Sequence, residues 1–569
     1  MNKKWVSLLS LLLALCLLTG CAAPLELPFG LGREDGHVPF PEMVYTRPER
    51  DGMDTLMEEL NALLDGGASY RKVKKKLDEC FDWYYTFYTM YTLAEVHSYL
   101  DMTDEYYAGE YEWISAEYAV VQQAYDRLYY ACAGSALGEK LEKEYFWEGF
   151  LEEYSDPEDS VYSDEYVALL KEESDLLARY RALIAEPAVV YKGEERNIYE
   201  LLDELEGLEY NRAVQLYYET YNEPLAELYI KLVGVRKAMA ARLGYDSYEQ
   251  MQYEFYFERD YTPEDAAAYL EQIHDEMTPF YNRLMARNPY GSIRYDEVDE
   301  DALYATLETA AGEIGGDVAE AFAFMSEYEL YDIGVDPKKA NMSFETYFPD
   351  YEAPFVFLGA AGDSSDVLSF AHEFGHFCDA YVNEGALNEC IDLAEVFSQA
   401  MELLVLSRLG DAMDERDVTN IARLKALDIV DVYVQQAAFA EFERRVYELP
   451  EEDLSAETLN RIMLEENKRF GVSVPGLEWA FSLCWIDITH FFEAPFYVIS
   501  YPVSCDLAMQ IYELELAGEG KGMERYLAVL RHDYTGIMDL VEDGDFASPF
   551  SAGRIADTAR ILGGILGVK

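Results

Sequence analysis

Basic residues are scarce: Lys and Arg total 44 against 110 Asp and Glu, a formal net charge of −66. A surface of that sign repels phosphates, which excludes nucleic acid and direct adsorption to anionic lipid, since both need a basic footprint. The one basic cluster, R-K-V-K-K-K at 71–76, reads as a solvated helix face. The acidity suits cationic peptides electrostatically and equally suits plain solubility. Cysteine is sparse too, with eight in the chain and no C-x-x-C pair, so zinc-ribbon and thioredoxin chemistry are excluded. After about residue 50 there is no Gly/Ser/Pro-rich linker, no low-complexity tract and no repeat of fixed period. Strand signals are few.

What is present is a large supply of core. The 569 residues are 50 % hydrophobic and 14 % aromatic, enough for one large helical body. Between about 52 and 270 apolar positions recur every three or four residues, as in Met53–Leu64, Ile114–Cys132 and Ser163–Ile184. Most of the 48 tyrosines sit in such helices as packing residues. Met342–Gly362 breaks the pattern. Its short aromatic and β-branched runs, interrupted by Pro349 and Pro354, predict a small edge-strand hairpin, and its closing glycines would let another backbone approach.

The N-terminus carries Lys3 and Lys4, an apolar run too short to span comfortably, and a small-residue site, the pattern of an export signal. Leu18-Thr19-Gly20-Cys21 resembles a bacterial lipobox, which implies cleavage before Cys21 and lipid on its thiol. Removing residues 1–20 takes away two lysines and no acids, so the charge moves from −66 to −68. The expected division is a signal at 1–20, a Pro/Gly-rich tether at 21–50, an N-terminal helical region at 51–190 and a catalytic region at 191–569. The expected place is outside the cytoplasm, lipid-anchored to the bacterial cell membrane.

The chemistry centres on A-H-E-F-G-H-F-C-D-A at 371–380. Capping groups at Asp363-Ser364-Ser365-Asp366, apolar positions from Val367 to Phe377 and Gly385 downstream predict a helix over about 364–383. On it His372 and His376 lie one turn apart and can reach one ion, with Glu373 beside them as a base that does not ligate. A chain of this composition spells H-E-x-x-H by accident roughly once in a hundred. Catalytic zinc needs a third protein ligand and an open position. No third histidine follows nearby. The next predicted helix, Ile391–Leu404, places Glu395 and Glu402 seven apart on an apolar face, where buried carboxylates need partners. Glu395 is the expected third ligand, and Glu402 the group that orients a histidine.

H-E-F-G-H followed by E-V-F-S-Q-A-M-E resembles the thimet-oligopeptidase-like zinc metallopeptidases, and more closely their bacterial oligoendopeptidase F branch. P-D-Y-E-A-P-F-V-F at 349–357, H-F-F-E-A-P-F-Y-V-I-S-Y at 490–501 and A-S-P-F at 547–550 extend the match in order over roughly 330–555. The resemblance implies a mainly α, two-lobed body with a deep central channel, one Zn2+ on His372, His376 and Glu395, and Glu373 as base. It also implies that His490, Tyr497 and Tyr501 lie over the scissile carbonyl. Offsets of seven and eleven would put these three on one helical stripe, although Pro495 interrupts it and Pro502 could kink the helix beyond Tyr501. Cys378 should point away from the metal.

The expected function is therefore endopeptidase cleavage of oligopeptides. The strand around Phe355 to Gly359 is the expected holder of substrate backbone, by strand addition. The alternatives are a lipid-anchored peptide-binding protein without turnover and a related helical zinc exopeptidase, a carboxypeptidase or dipeptidase.

Overall fold

The computed structural model describes residues 37–568 except 148, 155–162, 186, 293–295, 384, 386–389, 412, 519 and 532–533. The export signal, Cys21 and most of the tether lie outside the described residues. Helices dominate from the start: α1 (Arg50–Asp65), α2 (Tyr70–Leu100), α3 (Glu105–Ala133) and α4 (Asp164–Ala185). Asp104 caps α3 by accepting the N–H groups of Tyr106 and Tyr107. The tyrosines of this region pack as expected, with Tyr84 edge-on to Tyr125 at 4.9 Å and Phe81 stacked on Tyr129. Lysines of the basic cluster pair along the helix surface, Lys74 with Asp78 and Lys75 with Glu79, which is the solvated-face outcome.

A two-stranded hairpin, β1 (Ala188–Tyr191) and β2 (Glu194–Asn197), turns at Lys192-Gly193, both with positive φ, and leads to α5 (Gly207–Leu243). A second, three-stranded sheet comprises β3 (Tyr331–Asp332), β4 (Phe344–Phe348) and β5 (Ala353–Phe357) in the order β3-β5-β4. The predicted hairpin is β4 and β5, antiparallel from Phe344 opposite Phe357 to Phe348 opposite Ala353. It is not a free edge along β5, because β3 pairs parallel with Val356 and Phe357. One face of this sheet packs on the N-terminal part, Phe344 against Tyr99 and Phe355 against Phe40 at 4.2 Å. The other covers α6 (Asp366–Val382).

Helix α6 packs along α7 (Ile391–Leu406), which in turn packs along α10 (Ser500–Leu516), reached through α8 (Glu415–Glu448) and the short α9 (Thr489–Glu493). Residues 395–406 of α7 are all buried, as expected of a helix that is apolar nearly all round. Gly375 makes the α6–α7 approach possible: a Cβ there would sit 2.5 Å from Ser398 Cα and 2.8 Å from the Phe397 carbonyl oxygen. The Asp363–Asp366 stretch does not cap α6 in the expected sense. Asp366 instead accepts the N–H groups of Ala361, Gly362 and Asp363, tying the glycine loop to the helix start. The mainly α fold class holds. Among the described residues no helix is long and apolar enough to cross a membrane, and the six cysteines there are buried and unbridged.

Candidate active site

His372 and His376 project from successive turns of α6, and Glu395 faces them from α7. One ligand atom from each lies within 4.8 Å of the others, and His372 Nε2 is 3.5 Å from Glu395 Oε2. Two imidazoles and one carboxylate are the donor set of a catalytic zinc site with room for a further ligand, so these residues fit the metal. His372 and Glu395 are each held from behind. His372 Nδ1 lies 3.0 Å from Glu402 Oε1, and the other Glu402 oxygen is 2.7 Å from Lys425 Nζ on α8, which also donates to Asp428. Glu395 Oε2 accepts from Ser398 Oγ at 3.1 Å, and Oε1 accepts from the Tyr497 hydroxyl at 2.9 Å.

Charge and burial act strongly here. Burial pushes the His372 imidazole down, but the Glu402 hydrogen bond and the Glu395 and Glu373 charges outweigh it and raise it to about 9. His376, buried without such a hydrogen bond, falls to about 4. Burial, with the Glu395 and Glu402 charges, lifts Glu373 to about 7 against the pull of His372. That is the range in which a carboxylate accepts and returns a proton at neutral pH. Across from it, Glu345 on β4 is raised to about 8 by burial and by Glu373 and Asp379, and its Oε1 has no hydrogen-bond partner.

His490, Tyr497 and Tyr501 come together, but not on one helical stripe. His490 sits in the five-residue α9. The chain then breaks through Ala494 and Pro495, Phe496 adopts a left-handed φ of 64°, and Tyr501 lies at the start of α10. The broken path is what assembles them. Tyr501 Oη is 3.3 Å from His490 Nε2, and the Tyr497 ring is 5.4 Å from His490 and 5.2 Å from Tyr501. Burial lowers His490 to about 4 and raises both tyrosines above their ordinary value. Pro502 makes no kink, because it lies in the first turn of α10, where a missing N–H costs nothing, and its carbonyl accepts from Tyr269 at 2.7 Å. The strained Phe496 is held by its N–H, which donates to both oxygens of buried Glu443 at 3.0 and 3.2 Å.

The two expected substrate contacts lie at different depths. Phe355 is fully buried in the central strand of its sheet, and half-buried Gly359 packs tightly on this chain's own Met342, whose backbone lies 2.5 Å from where a Cβ would be. The hairpin pattern was visible in sequence, but the two-residue β3 that turns β5 into a central strand was not. Cys378 is buried away from the cluster, with Asp379 and Asp317 as charged neighbours. Lys425, Glu443 and Glu345 were not anticipated. Each is one acid or base among many, and nothing local marks it.

Residues 40–151 match the Peptidase M3 N-terminal domain, and residues 318–532 match Peptidase family M3. Two stretches of the chain thus match models of peptidase family M3, a match that supports a metallopeptidase. PZ peptidase A, solved with an inhibitor, is 21 % identical with a TM-score of 0.78 over 93 % of this chain and 99 % of that one. A Bacillus anthracis structure described as an oligoendopeptidase F is 23 % identical, with a TM-score of 0.75 over 94 % and 99 %. The oligoendopeptidase F of Enterococcus faecium is 16 % identical, with a TM-score of 0.59 over 91 % and 97 %. At such identities the likeness establishes the helical fold. No curated protein matches the chain.

Proposed function

We propose that this chain is a zinc-dependent endopeptidase that cleaves oligopeptides outside the bacterial cytoplasm, anchored to the membrane by lipid on Cys21. The observation that carries the catalytic part is the convergence of His372, His376 and Glu395 on one point, with Glu373 beside it on the same helix as the histidines. The anchor rests on residues 1–21 alone. Bound to His372, His376 and Glu395, zinc would supply Lewis-acid polarisation of the scissile carbonyl and acidification of water. Glu373 takes a proton from the attacking water and later gives it to the departing amine. Glu402, itself charge-paired with Lys425, keeps the His372 ring in its ligating orientation.

The two tyrosines divide the remaining work. Tyr497 is committed to Glu395 Oε1 and positions that ligand. Tyr501, beside a neutral His490, is the hydroxyl left to donate to the oxygen on which negative charge grows. An extended peptide would add as a strand to this small sheet, at its β4 side or along the part of Phe355–Gly359 that lies beyond the two-residue pairing with β3.

Glu373→Gln keeps the shape and removes the base. It should retain one zinc per chain while cleavage of a quenched fluorescent oligopeptide falls by about 10²–10⁴-fold. Undiminished turnover would overturn the assignment. Product masses from one peptide check the endopeptidase claim: internal cuts support it, and release of single terminal residues or dipeptides would make the chain an exopeptidase.

A further inference from the structure

A buried arginine outside the site connects its two halves. Arg259 follows the π-helical turn Gln252–Tyr256, and its side chain is fully buried. Its Nε donates to Asp392 Oδ2 at 3.1 Å, and Asp392, itself fully buried, lies three residues before Glu395 on α7. Its Nη2 donates to Ser500 Oγ at 2.7 Å, immediately before Tyr501 at the start of α10. The guanidinium stacks over Phe257 at 4.5 Å, and that ring packs edge-on against Tyr497 at 6.0 Å. Tyr261 donates to the same Asp392 oxygen at 2.5 Å, and Ser504 Oγ on α10 donates to the Asp392 carbonyl at 2.6 Å.

We propose that Arg259 is a positioning residue for peptide hydrolysis: through Asp392 on one side and Ser500 on the other, it fixes the Tyr501 hydroxyl relative to the Glu395 carboxylate. The inference rests on the peptidase reading above. Its physical basis is that α10 begins at Ser500 after a broken stretch, so no continuous helix sets where Tyr501 falls. A rigid planar fork with fixed donors can set the spacing of two partners to a few tenths of an ångström, which a flexible ammonium does not. Misplacing an oxyanion donor by about 1 Å is enough to cost on the order of 10²-fold in rate. A buried ion pair kept only for stability has no need of a third bond to the residue beside Tyr501.

The test uses the full zinc-loaded chain and three variants. Ser500→Ala cuts only the bond to the tyrosine segment and leaves the Arg259–Asp392 pair intact. Arg259→Lys keeps the charge without the fork, and Arg259→Met removes both. For Ser500→Ala, kcat on an oligopeptide should fall about tenfold with KM within about twofold, one zinc per chain and an unchanged melting temperature. The affinity for a phosphinic peptide, which mimics the tetrahedral species, should fall by the same factor as kcat/KM. Arg259→Met should lose about 10²-fold or more, and Arg259→Lys should recover only part of it. Should Arg259→Met fail to fold, Ser500→Ala and Arg259→Lys still decide. An unchanged kcat in Ser500→Ala, or losses that only track lost zinc or lost folded protein, would make Arg259 a structural ion pair and overturn the proposal. Wild-type chain that cleaves no peptide would remove the peptidase reading itself, and this inference with it.

Discussion

The two halves of the site are built on opposite principles. The half proposed to hold the metal comes from α6 and α7, two uninterrupted helices in which His372, His376, Glu395 and Glu402 are placed by helical periodicity. The half carrying His490, Tyr497 and Tyr501 comes from a five-residue helix, a broken strap with a left-handed Phe496, and the first turn of another helix. In the first half local geometry does the placing, and tertiary contacts only bring two helices close. In the second half local geometry places nothing, and buried groups from distant segments, Glu443 and Arg259, hold each bend. Precision at a site can thus come from regular elements or from clamps on irregular ones, and the two fail differently under mutation.

The largest expected effect breaks the regular half at its closest approach. Gly375→Ala puts a methyl group 2.5 Å from Ser398 Cα, so α6 and α7 must separate. Overpacking of this kind costs about 1–3 kcal/mol or more, and it moves Glu395 away from the histidines. Zinc per chain, measured by elemental analysis, should fall well below one, and peptide cleavage with it; full zinc retention would show that the helix pair tolerates spreading. Next in size is Lys425→Met, which leaves Glu402 buried without its cation. Loss of such supporting partners lowers metal affinity by about 10–100-fold, to be read by competition with a chelator; unchanged affinity would mean that Glu402 needs no counter-charge.

The smallest effect sharpens the comparison from the clamped side. Burial raises Glu443 from its ordinary 4.5 to about 8, so the folded chain keeps a proton that the unfolded chain releases. That contribution to stability is fully present below about pH 4.5 and is lost as pH rises through about 8. Glu443→Gln still offers an acceptor to the Phe496 N–H but cannot ionise. Its melting temperature relative to wild type should rise by about 2–4 °C between pH 5 and pH 9. A gap that stays constant across that range would show that Glu443 is not protonated in the folded chain.

Much of this was legible in the chain itself. Helices α6 and α7 follow from apolar spacing, and their histidines and glutamates fall on the right faces because residues three, four and seven apart in a helix share a side. The β4–β5 hairpin was legible from its aromatic runs and prolines, but the short β3 beside it was not, because the pairing of Tyr331 and Asp332 with Val356 and Phe357 spans some two dozen residues. The helical stripe through 490–501 was wrong for a related reason: Pro495 and the Glu443 clamp override helical continuation there. Lys425 and Arg259 were invisible, since what distinguishes them from other basic residues is the acid buried opposite, Glu402 in one case and Asp392 in the other.

By itself, then, the sequence determined a mainly helical chain and the cluster of His372, His376 and Glu395 with Glu373 beside it, because periodic local geometry places residues that are close in sequence. Only the tertiary structure decided which tyrosine is committed to Glu395 and which is left beside His490, which strand of the small sheet is central, and which buried charges hold the site residues in place. Those are contacts between segments tens to hundreds of residues apart, and a one-dimensional pattern has no means of encoding which distant partner a buried polar group will find.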